Sequence, residues 1–313
     1  VGNESQERMG IVIREEDIEH IRQIADRERA PFYVVGETTG DHRFVFEQTD
    51  GVKPIDLAME DMFGKAPRTV MTDRTVEETY EDVTYDQTQL DEYVERVLQL
   101  EAVACKDWLT NKVDRSVTGK IARQQCQGEI QLPLSDCGVV ALDYRGRAGI
   151  ATSIGHAPQA ALVDPAAGSV LSIAEALTNI VWAPLSEGLD SVSLSANWMW
   201  PCKNEGEDAR LYRAVEACSD FACSLRINIP TGKDSLSMTQ KYGKDKVYSP
   251  GTVIISAGAE VSDIRKVVSP VLRTGVNSTI YYIDFSFDKL KLGGSAFAQS
   301  LDKIGKEVPT VQD

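Results

Sequence analysis

Between Pro165 and Pro184 the chain carries no proline, and the stretch Asp164–Ile180 (DPAAGSVLSIAEALTNI) opens on Asp-Pro before running through small and apolar residues. Asp followed by Pro is a helix-start signal, so the stretch is expected to form one buried helix. At 100° per residue, Val170, Ile173, Ala174, Leu177 and Val181 fall on one stripe. Glu175 and Asn179 fall opposite, four residues apart, so one turn brings a carboxylate and an amide oxygen side by side. Asp136 stands in LPLSDCGVV (Leu132–Val140), an apolar run that reads as a strand. Such oxygens are what a hard cation such as Mg²⁺ takes, usually with phosphate oxygens completing its shell. By pattern alone, a solvated helix face and a strand-end acid account for the same three residues.

The 313 residues suffice for two domains, or for one complete domain with pieces of others. No apolar run approaches membrane-spanning length. A net charge of −15 argues against a nucleic-acid surface, so an anionic substrate needs local Lys and Arg or bound metal. Six cysteines show no C-x-x-C pair, and three histidines are too few to complete a zinc set. The thiols read as reduced, in a cytoplasmic protein. The start, VGNESQERMG, has no initiator Met and no signal-peptide pattern, and the end, DKIGKEVPTVQD, has no closing element. Both ends are expected to be cuts through a longer chain.

Strands are expected at Met9–Ile13, Pro31–Val35 and Arg43–Phe46, with a helix at Glu15–Glu28, an order that looks like the tail of a ferredoxin-like α/β domain. A polar, acidic connector follows, with helices at Ile55–Phe63 and Gln89–Leu100. From Val113 to about Val261 the pattern is that of one complete domain. Its strands are expected at Ile130–Leu134, Cys137–Leu142, Ala148–Ile154, Ser191–Asn197, Ser224–Ile229 and Gly251–Glu260, and its helices at Pro165–Val181 and Asp208–Cys223. Strands grouped around only two long helices favour an α+β layer with the helices on one side. A helix near Ile264–Leu272, a strand at Thr279–Phe285 and a glycine turn into a helix (KLGGSAFAQ) open a further domain.

Several short motifs could carry chemistry. Asp114–Gly119 (DRSVTG) offers Asp114, Arg115, Ser116, Thr118 and Gly119 as a polar glycine turn able to meet phosphate, although an ordinary loop has the same composition. Thr231–Met238 (TGKDSLSM) puts Lys233, Asp234, Ser235 and Ser237 after an apolar strand, where hairpin and site-forming residues are alike common. In SANWMW, Asn197 can cap or line a site, while Trp198 and Trp200 read as packing residues. His156, in SIGHAP, reads as structural, and no Ser-His-Asp or Cys-His set has supporting context.

DRSVTG, LPLSDCGVV, SIGHAP, EALTNI, LSANWMW, GEDARLY and IPTGKDSLSM occur in one order, with RERAPFYVVGETT upstream and LGGSAFAQ downstream. Together they resemble the synthetase region of the large, single-chain phosphoribosylformylglycinamidine synthase family. The resemblance implies a fold of aminoimidazole-ribonucleotide-synthetase-like units, each an ATP-binding half followed by a second α/β half. On that reading residues 1–54 end the first unit, 55–111 connect, 112–268 form the second ATP-binding domain, and 269–313 begin the last half. It further implies Asp136, Glu175 and Asn179 as Mg²⁺ ligands of a structural nucleotide site, with Ser135 at the nucleotide. By pseudo-symmetry Asp114–Gly119 is then the candidate contribution to the catalytic site.

The implied activity is a glutamine-dependent C–N ligase of purine biosynthesis, with ATP or ADP and Mg²⁺ bound. Formylglycinamide ribonucleotide, glutamine and ATP become the amidine, glutamate, ADP and phosphate. Its partners are the rest of the same polypeptide: the first ATP-binding domain and a glutaminase domain, whose Cys–His pair these residues lack. Alone, the chain is expected to be inactive and to self-associate through an uncovered sheet face. The alternative is a non-catalytic nucleotide–Mg²⁺ scaffold and packing half of such an enzyme.

Overall fold

A computed structural model describes residues 8–65, 67–72, 74–106, 108, 115, 119–286 and 290–311. The chain divides into two compact units, Val1–Val70 and Met71–Asp313.

In the first unit the amphipathic pattern gives helix α1 (Ile18–Arg27), preceded by a 3₁₀ turn at Glu15–Asp17. Strands β1 (Arg43–Phe46) and β2 (Ile55–Ala58) pair antiparallel, Arg43 opposite Ala58, and the Arg43 guanidinium binds the Asp56 carboxylate across them. The helix expected over Ile55–Phe63 is therefore half strand; only α2 (Met59–Phe63) is helical. Met9–Ile13 and Pro31–Val35 form no strand. A strand exists through its partner's hydrogen bonds, and these apolar runs have none.

The second unit begins with a connector that is strapped onto the rest of it. Asp208 accepts a hydrogen bond from Thr72 N at 3.1 Å, and Arg74 pairs with Glu205 at 3.3 Å. Gly206 takes φ +82°, and a side chain there would press on Val76. Tyr80 is half-buried and donates to the Glu78 carboxylate; partial burial and that hydrogen bond push its phenol up to about 12. Helix α3 (Leu90–Gln99) then sets Tyr93 edge-on to Phe297, ring centroids 5.2 Å apart, with Tyr85 edge-on to the same ring.

The core is built on one six-stranded sheet. Its strands are β3 (Ile121–Arg123), β6 (Cys137–Ala141), β7 (Gly149–His156), β8 (Ser193–Met199), β9 (Asn228–Ser235) and β12 (Thr252–Val261), ordered β3-β6-β7-β12-β8-β9. Two small pairs stand apart from it: β4 (Cys126–Gln127) with β5 (Leu132–Pro133), and β10 (Thr239–Tyr242) with β11 (Asp245–Tyr248). Every pairing in the large sheet is antiparallel except β8 with β9, which needs a crossover and has one. Helix α4 (Pro158–Val163) leads into α5 (Pro165–Ile180), and α6 (Glu207–Ser224) is that crossover.

Strand alternation explains the layering. Ala151 and Ser153 of β7 are buried, while Ile150, Thr152, Ile154 and His156 are exposed. The inward side joins Leu194, Ile255 and Ala257 to Ile173, Leu177 and Ile180 of α5 and to Cys218 and Ala222 of α6. The outcome is the α+β layer expected, helices on one face.

Several elements differ from expectation. The buried side of α5 is wider than the apolar stripe and includes Ser169, Ser172 and Ala176, whereas Val181 is 48% exposed. Both serines donate to carbonyls one turn back (Ser169 to Pro165 O at 3.1 Å, Ser172 to Gly168 O at 2.8 Å), so small hydroxyl residues can be buried satisfied. The strand expected at Ser224–Ile229 starts later, because α6 runs to Ser224 and Arg226 turns the chain at φ +57°. It also runs further, to Ser235, so Lys233 and Asp234 lie within a strand and not in a loop after it. Ile264–Leu272 holds only a 3₁₀ turn at Ile264–Lys266, since Pro270 and paired β-branched valines stop a helix. Thr279–Phe285 forms no strand.

None of the six cysteines is in a disulfide. Burial, with Asp208 alongside, pushes Cys202 up to about 12, and burial alone pushes Cys218 up to about 11. Since only the thiolate alkylates, iodoacetamide at pH 8 should modify the exposed Cys105 and Cys223 in the folded protein and reach Cys202 and Cys218 only in denaturant. Peptide mass mapping reads the result; rapid native labelling of Cys218 would contradict this packing. No helix among the described residues is long and apolar enough to cross a membrane.

Candidate functional site

Helix α5 starts where Asp164 caps it, accepting from Ala166 N at 2.9 Å with Pro165 in the first turn. Sixteen helical residues later its far half lies across the end of β7. Contact there is backbone against backbone: a side-chain carbon at Gly155 would overlap the Ser172 carbonyl oxygen and the Ala176 nitrogen. Ser153 Oγ donates to Ala176 O at 2.6 Å, fastening the same crossing from the buried side.

On the open side of this crossing the polar residues converge. Glu175 Oε2 accepts from His156 N at 2.6 Å and stands 3.6 Å from His156 Nδ1. Asn179 Nδ2 donates to Ile154 O at 3.1 Å, which leaves its Oδ1 as the atom available to an incoming group. Cys137 pairs with Ser153, so Asp136 sits one step further along, level with Ile154. Loss of hydration and the Glu175 charge hold the Asp136 carboxyl above its usual range. Two carboxylates that repel, beside an amide oxygen, are a set that a divalent cation would satisfy. Ser135 Oγ donates to Cys137 O at 3.1 Å, at the start of β6. The three ligand candidates named from sequence thus meet at one place. His156, read as structural, lies among them. Among the described residues no group of three or more His, Cys, Asp and Glu suits a metal, so any site here depends on the Asn179 amide.

The second candidate, Asp114–Gly119, is only partly visible: Asp114, Ser116 and Thr118 lie outside the described residues. Arg115 and Gly119 line a cavity of about 400 Å³ together with Arg123, Gln124, Gln127 and Gln131. Glutamines orient both guanidiniums. Arg115 donates to Gln124 Oε1 at 2.9 Å and to Gln131 Oε1 at 2.7 Å, and Arg123 donates to Gln127 Oε1 at 2.8 Å. Arg123 also donates to Val267 O at 3.0 Å, while its Nε is enclosed without an acceptor. Gly119 takes φ +71°, a left-handed conformation suited to glycine. Arg115 and Arg123 are the two cations among the described residues that line it. This cleft was not singled out from the sequence; the run Arg123–Gln127 (RQQCQ) was the available signal, without showing that the strands fold it around Arg115.

Residues 105–260 match the family model described as the FGAR-AT PurM_N-like domain. They belong to that domain family. The whole chain is similar to the phosphoribosylformylglycinamidine synthase of Drosophila melanogaster, 37% identical over 329 residues, covering 99% of this chain and 24% of that protein. It therefore spans about a quarter of the length of that curated relative. Among solved structures it is similar to T. maritima PurL complexed with ADP, with a TM-score of 0.53, 15% identity, and 82% of this chain and 38% of that one covered. It is similar also to T. maritima PurL complexed with ATP, with a TM-score of 0.50 and 13% identity over the same shares. At such identities the likeness is one of fold. The FGAR-AT PurM_N-like domain holds the six-stranded sheet almost entire, with both the β7–α5 cluster and the arginine–glutamine cleft. The family expected from the ordered motifs is the family found.

Proposed function

We propose that this chain is part of the ATP-dependent ligase that converts formylglycinamide ribonucleotide to its amidine, phosphoribosylformylglycinamidine synthase. What carries the reading is the convergence of Asp136, Glu175 and Asn179 at the β7–α5 crossing, in a chain 37% identical along almost its whole length to an enzyme of that name. The three residues would hold Mg²⁺, with Ser135 beside the nucleotide. Bound there, the cation would neutralise phosphate oxygens that a chain of net charge −15 otherwise repels.

Glu175 and Asn179 are tied into the β7 backbone by hydrogen bonds, so the candidate ligands also clamp helix to sheet. That double duty favours a structural nucleotide over one that turns over. Arg115 and Gly119, in the cleft, would receive a phosphoryl group or the substrate's own phosphate, and the paired guanidiniums would steady charge as phosphoryl passes to the substrate amide oxygen. Ammonia, supplied from glutamine elsewhere in the whole protein, would then displace phosphate. The uncovered outer sheet face, with Ile150 and Ile154 46% and 57% exposed, is the surface we assign to the rest of that protein.

The test compares the full-length protein with the 313-residue chain. With ATP, Mg²⁺, ammonium and formylglycinamide ribonucleotide, the full-length protein should form the amidine. The chain alone should form none and should bind ADP with Mg²⁺ weakly or not at all by calorimetry. No amidine from the full-length protein would overturn the assignment; amidine from the chain alone would overturn the need for the remainder.

A further inference from the structure

The outer face of the sheet carries a second polar group, at its opposite edge. Leu194 and Ala196 of β8 point into the core, so alternation turns Ser195, Asn197 and Met199 outward. Register then fixes their neighbours. Asn197 pairs with Ile254 of β12 on one side and with Lys233 of β9 on the other, and Ile254 pairs in turn with His156. Paired residues share a face, so His156, Ile254, Asn197 and Lys233 form one row across four strands. β8 and β9 are the only parallel pair in this sheet, and Asn197 and Lys233 each lie two residues from the carboxyl end of their strand. In open α/β sheets, ligands bind outside the carboxyl ends of parallel strands.

Two observations mark the pair as unfinished. Asn197 Oδ1 is enclosed and accepts no hydrogen bond, although a buried carbonyl oxygen ordinarily has a donor. Lys233 is exposed, and its amine donates only to a neutral hydroxyl, Ser235 Oγ at 2.8 Å; among the described residues no carboxylate pairs with it. An ammonium ion and a vacant amide acceptor, in register on adjacent strands, complement a ligand with an anionic group beside an N–H donor.

We infer that Asn197 and Lys233 form a substrate subsite on the outer sheet face, distinct from the β7–α5 cluster. The ammonium leaves Ser235 for an anionic oxygen of the substrate, and Asn197 Oδ1 accepts from an adjacent substrate N–H. Formylglycinamide ribonucleotide has that chemistry, with amide N–H groups and a phosphate in one small molecule, so the inference rests on the proposed function. Both residues position substrate; neither is assigned a proton or a bond to make.

The test uses the full-length protein and its N197A, K233M and K233R variants. Calorimetry with formylglycinamide ribonucleotide and steady-state kinetics are the readouts. N197A and K233M should bind substrate about ten- to a hundredfold more weakly, with KM rising in step, the KM for ATP unchanged and the thermal midpoint unchanged. K233R should recover most of the affinity, which a purely structural lysine in an exposed position would not require. Wild-type binding with undiminished affinity in N197A and K233M would overturn the subsite and leave the functional reading standing. A wild-type protein that binds no such substrate would overturn both.

Discussion

Replacing Gly155 by alanine should destabilise the second unit by about 3 kcal/mol or more, and by valine should prevent folding. The reason is local: an added carbon would overlap the Ser172 carbonyl oxygen and the Ala176 nitrogen, and these are main-chain atoms in the middle of a packed helix. A flexible side chain could swing aside, but here α5 must lift off β7. Lifting it would stretch the Ser153–Ala176 hydrogen bond and the two that Glu175 and Asn179 make to the β7 backbone. Gly258, on neighbouring β12, is the control. An added carbon there meets nothing within 4 Å, so Gly258→Ala should change stability by no more than about 0.5 kcal/mol. Urea unfolding followed by tryptophan fluorescence reads both. Equal midpoints for the two variants would mean that α5 does not press on β7 as described.

Glu175→Gln should remove about half of the stabilisation that ADP with Mg²⁺ gives the full-length protein, without weakening the ligand-free fold. A glutamine oxygen can still accept from His156 N, so the clamp survives; what disappears is one of two negative charges. Without ligand the change relieves the repulsion that raises Asp136, so the ligand-free melting point should hold or rise. With ligand at about a hundred times its dissociation constant, the wild type gains about 2.7 kcal/mol, and a tenfold loss of affinity removes about half of that. Asp136→Asn should behave alike, and the double variant should lose little beyond either single one, because the two act on one ion. Thermal melts with and without ADP and Mg²⁺ decide it. An unchanged ligand-induced shift in both single variants would remove the pair from the metal's shell.

The sequence was most legible where periodicity and length agree. Pro165–Ile180 and Glu207–Ser224 are long and apolar on one side, and they form within a residue or two of their expected bounds. Cys137–Ala141 and Thr252–Val261 were likewise visible, because strands buried along one face alternate cleanly. Met9–Ile13 and Pro31–Val35 have the same local look and no ladder, since a strand needs a partner that composition does not reveal.

The candidate site was legible as residues and not as geometry. Glu175 and Asn179 were a pair by helical spacing, but nothing local says that Asp136 arrives beside them; the β6–β7 register does that. The stripe through Val170 and Val181 misjudged which side of α5 is pressed hardest, because hydrophobicity is a poor guide where helix and sheet meet backbone to backbone. Small residues mark such contacts, and Gly155 in SIGHAP was the available signal. The arginine–glutamine cleft needed the fold itself, since its residues come together only when β4 and β5 pair.

The order of strands in the sheet also constrains how the protein can be made. β12 lies between β7 and β8, yet it is the last of the six to be translated. Until Val261 has left the ribosome, the nascent chain can hold a β6–β7 hairpin and a β8–α6–β9 crossover, but no strand bridges the two. Each half then waits with an unpaired inner edge, the kind of edge that recruits other strands. Translation pauses between Ser235 and Thr252 should therefore lower the yield of folded protein more than pauses after Val261. For this domain, synthesis order sets a hazard that the finished sheet conceals.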